Sequence, residues 1–152
     1  MRLRSKPVLC NYYVTYRCNA KCSFCDIWEK PSPYITLEDV EQNLRDLKKL
    51  GVQVIDFTGG EPLLHRQIDQ MLGIAHDMGF ITTLTTNGML YPKLAERLKG
   101  KVDMLHFSLD SAHKDEHDTG RGVACYDFVM ESIQVARQLG ERIGRSIREL
   151  HQ

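Results

Sequence analysis

Cys18, Cys22 and Cys25 follow a Cys-x3-Cys-x2-Cys spacing, and about one strand-and-helix unit later comes the glycine-rich turn Thr58-Gly59-Gly60-Glu61-Pro62. Thiolates grouped this closely are metal ligands by type. An iron-sulfur cubane needs four ligands and usually takes four cysteines. A compact trio with no fourth cysteine nearby therefore describes a cluster that keeps one iron open for another ligand. The same thiols can also be read as a structural zinc site, completed by Cys10 or by a histidine.

The chain that must hold them has 152 residues, 42% hydrophobic and 26% charged, enough for one domain with a buried core. Twenty basic residues balance twenty acidic ones, so nothing calls for nucleic acid or an anionic membrane as a partner. The opening Met1 to Lys6 is basic, but no apolar segment of signal-peptide or membrane-spanning length follows it. The expected location is the cytoplasm. Five cysteines, three of them clustered, suit a metal site in a reducing compartment better than a secreted disulfide framework.

Short apolar runs alternate with helical patterns. Val8 to Val14 reads as a buried strand that ends at the cysteine loop. Thr36-Leu37-Glu38-Asp39 resembles a capping box, and Leu37, Val40, Leu44, Leu47 and Leu50 recur at helical steps up to Gly51. Val52 to Phe57 gives a second strand, and a helix carrying Ile68, Leu72 and Ala75 follows. Phe80 to Thr86 gives a third strand, and a short helix carries Leu94 and Leu98. Val102 to Leu109 gives a fourth, and a helix from about Ala124 buries Phe128, Val129, Ile133 and Ala136. About four βα units in strict alternation predict an α/β fold, a parallel sheet with its helices outside. Chemically loaded residues follow each strand, and function in such folds gathers at those ends.

Cys-x3-Cys-x-Phe-Cys after a first strand, with Gly-Gly-Glu-Pro after a second, resembles the radical S-adenosylmethionine (SAM) superfamily. Thr86-Asn87-Gly88 and Ser108-Leu109-Asp110-Ser111 extend the likeness towards the branch holding the molybdopterin-precursor cyclase and peptide-modifying enzymes. The resemblance covers about residues 8 to 140 and implies a partial parallel (β/α) barrel. It implies that Cys18, Cys22 and Cys25 hold a 4Fe-4S cluster whose open iron binds SAM. By the same likeness Phe24 and Cys25 lie beside the cofactor, and Gly59, Gly60 and Glu61 approach its methionine amino group. Ser108 hydrogen-bonds its ribose or methionine end, and Asp110 and Arg121 contribute further, Arg121 by pairing with the methionine carboxylate. The implied reaction is reductive cleavage of SAM to a 5′-deoxyadenosyl radical that abstracts hydrogen from a substrate, a small molecule or a peptide. A flavodoxin or ferredoxin would supply the electron.

Several residues carry plainer readings. Cys10 and Cys125 read as buried or incidental thiols, His106 as a hydrogen-bonded structural histidine, and His113 to Asp118 as a solvated loop. Residues 1–152 read as a single core domain whose tail, from about residue 140, continues as a helix through Ile143, Ile147 and Leu150. No strand is expected after Leu109, which leaves the fourth strand as an open edge. A second copy, a partner chain or the tail helix would cover it, or the chain is a non-catalytic fragment that binds cluster and cofactor without turnover. Zinc without labile sulfide would mark the remaining alternative, an interaction module.

Overall fold

The structure, a computed structural model, describes residues 6–144. Strand β1 (Leu9–Thr15) pairs with β2 (Val54–Gly59), β2 with β3 (Ile81–Thr86), β3 with β4 (Met104–Phe107), and β4 with the short β5 (Ile143–Gly144). Every pairing is parallel. The connections carry α1 (Leu37–Leu50), α2 (Ile68–Asp77), α3 (Tyr91–Leu98), and then α4 (Lys114–Arg121) and α5 (Tyr126–Gln138) in succession. The strands follow chain order, and the crossover helices pack against one face of the sheet, as the usual crossover handedness requires.

That side holds the core. Val14, Ile55, Phe57, Leu84, Leu105 and Phe107 alternate along the strands and pack with Val40 and Leu44 of α1, Met71 and Leu72 of α2, and Ala95 of α3. The opposite face is open, with Leu9, Ile81 and Met104 exposed near the N-terminal ends of their strands. Such two-sided alternation fixes the register, since a one-residue slip would turn the core row outward.

Helix α1 shows how local sequence sets the boundaries. Thr36 Oγ1 accepts from Asp39 N at 3.1 Å, and Asp39 Oδ2 accepts from Thr36 N at 3.2 Å. Gly51, at φ 92°, ends the helix in the left-handed conformation. A cap of this kind contributes about 1 kcal/mol.

Three expectations are corrected. The run from His113 to Asp118 is not a loop: Lys114 onward forms α4, and His117 is fully buried. Phe128 lies on the outer side of α5, where Val129, Ser132 and Ala136 are the buried residues. The tail does not continue as a helix at Ile143, because Gly140 turns the chain at φ 74° and Ile143 then pairs with Leu105. Leu105 N donates to Arg142 O at 2.8 Å, so β4 is no open edge. Ile147 and Leu150, like Met1 to Ser5, lie outside the described residues.

Candidate functional site

The cysteine loop begins where β1 shifts register between Tyr13 and Thr15, which sets Thr15 opposite Gly59. Gly60 N donates to Thr15 O and Glu61 N to Arg17 O, each at 2.8 Å. A Cβ on Gly59 would be driven into Thr15 O, and one on Gly60 into the carbonyls of Tyr16 and Arg17. Two main chains touch here, which requires residues without side chains. The expected reason for these glycines was approach to an ammonium group; contact with the cysteine loop already accounts for them.

The loop is gripped on its other side by the end of α4. Ser23 N donates to Gly120 O at 3.0 Å, and Gly122, at φ 65°, lies so close that a Cβ would strike Lys21 O. Asn87 Nδ2, after β3, donates to Asn19 Oδ1 at 2.7 Å. Within the loop Cys25 N donates to Cys22 O at 3.2 Å, and Trp28 Nε1 to Cys25 O at 3.1 Å. Main-chain contacts thus hold the loop on two sides, and the side-chain bond from Asn87 to Asn19 adds a third.

Beside the loop lies a cavity of about 300 Å³. Cys18, Cys22, Phe24 and Cys25 form one wall, and Gly59 and Gly60 continue it after β2. Thr85, Thr86 and Asn87 enter from β3, Ser108 and Asp110 from the end of β4, and Arg121 from α4. Four strand ends that are distant in sequence therefore meet at one place. Every residue expected at the cofactor borders this cavity except Glu61.

All three thiols are free, Cys18 and Cys22 partly buried and Cys25 exposed. Burial raises the pKa of Cys18 and of Cys22, and for Cys22 the Arg121 guanidinium opposes the rise. Thiols so placed give up their protons readily only to a metal, whose positive charge replaces them. Among the described residues, His117, Asp118 and Cys125 bring three ligand atoms within 4.8 Å of one another, and the loop cysteines do not form such a group.

Arg121 is committed within the protein. Its Nε and Nη2 bind the two oxygens of Asp110, its guanidinium stands 5.7 Å from the Phe24 ring centroid, and Nη1 reaches Cys22 Sγ at 4.0 Å. Its charge is thus met by a carboxylate of the chain itself while it borders the cavity. Glu61 is displaced further from its expected role. Its fully buried carboxylate accepts from Leu63 N at 3.0 Å and from Thr86 Oγ1 and Asn87 N at 2.8 Å each. It braces the turns after β2 and β3 from behind the cavity wall. Burial pushes its pKa up to about 7 against the pull of those three donors.

Reading the sequence missed His117, which supports this arrangement from below. Its Nδ1 accepts from Asp110 N at 3.2 Å, so Nε2 carries the proton and faces Cys125 Sγ at 3.3 Å. A histidine one helical turn ahead of Arg121, on a stretch that ends in Gly-Arg-Gly, was the available signal. Cys125 is buried, as expected. His106 differs from expectation, because its buried Nε2 has no hydrogen-bond partner among the described residues.

Comparison with known proteins follows the same line. The radical SAM superfamily model matches residues 12–146. A probable GTP 3′,8-cyclase of Methanocella arvoryzae is 37% identical over 131 residues, which are 84% of this chain and 42% of that protein. An S-adenosylmethionine-dependent nucleotide dehydratase of Selenomonas ruminantium is 33% identical over 143 residues, 88% of this chain and 52% of its own. The chain thus spans about half the length of these relatives. Among solved structures, Streptococcus suis SuiB bound to the precursor peptide SuiA superposes with a TM-score of 0.81 at 26% identity, over 91% of this chain and 32% of that one. SuiB has also been solved bound to S-adenosylmethionine, with a TM-score of 0.79 and 27% identity over 91% of this chain and 33% of that one.

Proposed function

The chain belongs to the radical SAM superfamily, and from that premise we propose that it holds a 4Fe-4S cluster on Cys18, Cys22 and Cys25 and binds SAM in the adjoining cavity. Held there with an external reductant, the two groups would supply one-electron reduction of the sulfonium, which would yield methionine and a 5′-deoxyadenosyl radical for hydrogen abstraction. The chain's own residues bind, orient and exclude water. Phe24 offers an apolar face, Ser108 a hydroxyl, and Gly59 and Gly60 a wall without side chains. Arg121, paired with Asp110, lies against the thiol of Cys22 and partly offsets the burial that raises its pKa.

One observation carries the reading: three free cysteines border the same cavity as Phe24, Gly59, Gly60 and Ser108, and among the described residues no fourth cysteine and no histidine lines it. The relatives' names refer to GTP, to a nucleotide and to a peptide, so the substrate does not transfer from them. Candidates remain a small molecule or a peptide, with flavodoxin or ferredoxin as reductant.

The test is anaerobic reconstitution of the 152-residue chain, with iron, sulfide and oligomeric mass measured together. About four irons and four sulfides per chain are expected, with reductant-dependent 5′-deoxyadenosine. Changing any one of the three cysteines to Ala should remove both cluster and product. Zinc in place of iron, without sulfide, would refute the proposal, and a loaded cluster that binds SAM without cleaving it would mark a binding fragment.

A further inference from the structure

The face of the sheet turned away from the helices carries alternate residues of each strand, and the registers fix their neighbours. Asn11 pairs with Asp56, and Asp56 with Thr83; Thr85 pairs with His106. Among the described residues, no lysine or arginine occurs in the five strands. Asp56 supplies the carboxylate of this face, and the imidazole of His106 stands on it as well.

Asp56 is held but not saturated. Thr83 Oγ1 donates to its Oδ1 at 2.6 Å, and Thr85 Oγ1 lies 3.1 and 3.0 Å from its two oxygens. Two hydroxyl protons meet a group with about four acceptor positions. Among the described residues no cation forms an ion pair with it. Thr85 also borders the cavity beside the cysteines, so whatever extends from that cavity onto the open face meets Asp56 next.

We propose that Asp56 is a specificity-determining residue, and that the open face takes a substrate presenting an ammonium or guanidinium group and disfavours one presenting phosphates. The assignment rests on the cavity being the SAM site. An oriented carboxylate that pairs with no cation among the described residues attracts positive charge and repels a polyphosphate, and the described strand residues include no lysine or arginine to reverse that preference. The threonines fix where the charge sits.

The test uses the anaerobically reconstituted protein with SAM bound, and saturation-transfer NMR with N-acetyl-lysine methylamide, N-acetyl-norleucine methylamide and GTP as probes. The lysine probe should bind about tenfold more tightly than the uncharged norleucine probe, and more tightly than GTP. Asp56→Asn keeps an acceptor for the threonines and should erase the preference; in the wild type, added salt should weaken it without any variant being needed. Equal binding of the two amino-acid probes, tighter binding of GTP, or a preference that survives Asp56→Asn would overturn the assignment. SAM binding is read in the same samples, and its failure would instead remove the reading on which the assignment rests.

Discussion

Arg121 holds Asp110 through two parallel hydrogen bonds, Nε to Oδ2 at 2.6 Å and Nη2 to Oδ1 at 2.9 Å, with side chains only 11% and 15% exposed. The pair ties α4 to the end of β4 directly beneath the cysteine loop. Asp110→Asn leaves a largely buried guanidinium half-paired and should cost about 2–4 kcal/mol in denaturant unfolding. Arg121→Lys keeps the charge but cannot bridge both oxygens, so a smaller loss of about 1–2 kcal/mol is expected. Equal stability of both variants and the wild type would show that the pair adds nothing.

Glu61 gives a pH dependence of unusual sign. In the unfolded chain it titrates near 4.5, and burial raises it to about 7 in the fold. Between those values the folded state keeps a proton that the unfolded state releases, so this group's contribution to stability falls as pH rises through the window. Above about 7 both states are ionised and the loss is complete. The drop is on the order of 3 kcal/mol. Glu61→Gln should lose that slope, and denaturation of both proteins at several pH values gives the difference curve; a flat difference would contradict it.

Gly60→Ala should displace the cysteine loop, because its Cβ has no room beside the carbonyls of Tyr16 and Arg17. Iron retained after reconstitution should fall from about four per chain to below one. Gly100 provides the control. It has a positive φ of 73° but nothing within 4 Å of a Cβ, so Gly100→Ala should cost about 1 kcal/mol and leave iron content unchanged.

Cys125→Ala should separate the buried thiol from the three loop thiols. It removes the sulfur facing His117 Nε2 and leaves a buried N–H without a partner, at a cost of about 2 kcal/mol. Iron and sulfide should stay at the wild-type level. Cys125→Ser, which restores an acceptor, should recover part of the stability.

Much of the scaffold was legible because its signals are local. The capping box at Thr36 and the leucine spacing through Leu50 depend on neighbours in sequence, and α1 runs from Leu37 to Leu50 as they predict. The strand β5 was not legible, since two residues, Ile143 and Gly144, are recruited by pairing with β4 and carry no pattern of their own. His117 was obscured by its charged neighbours, whose polarity masked a buried side chain. At the candidate site the grouping of the three cysteines was readable by spacing, whereas Ser108 entered only through the family likeness; all four border the cavity. The inward turn of Glu61 and the pairing of Arg121 with Asp110 depend on three-dimensional neighbours, and spacing alone held no trace of them.

The grip on the cysteine loop has a kinetic consequence. Thr15, Arg17, Lys21 and Ser23 meet Gly59, Gly60, Glu61, Gly120 and Gly122 through main-chain atoms, so the polypeptide itself constrains the loop's course. Thiols already stationed need no coupled folding when iron arrives. Cluster assembly should then follow the delivery of iron and sulfide, with the metal-free protein keeping its native circular dichroism throughout.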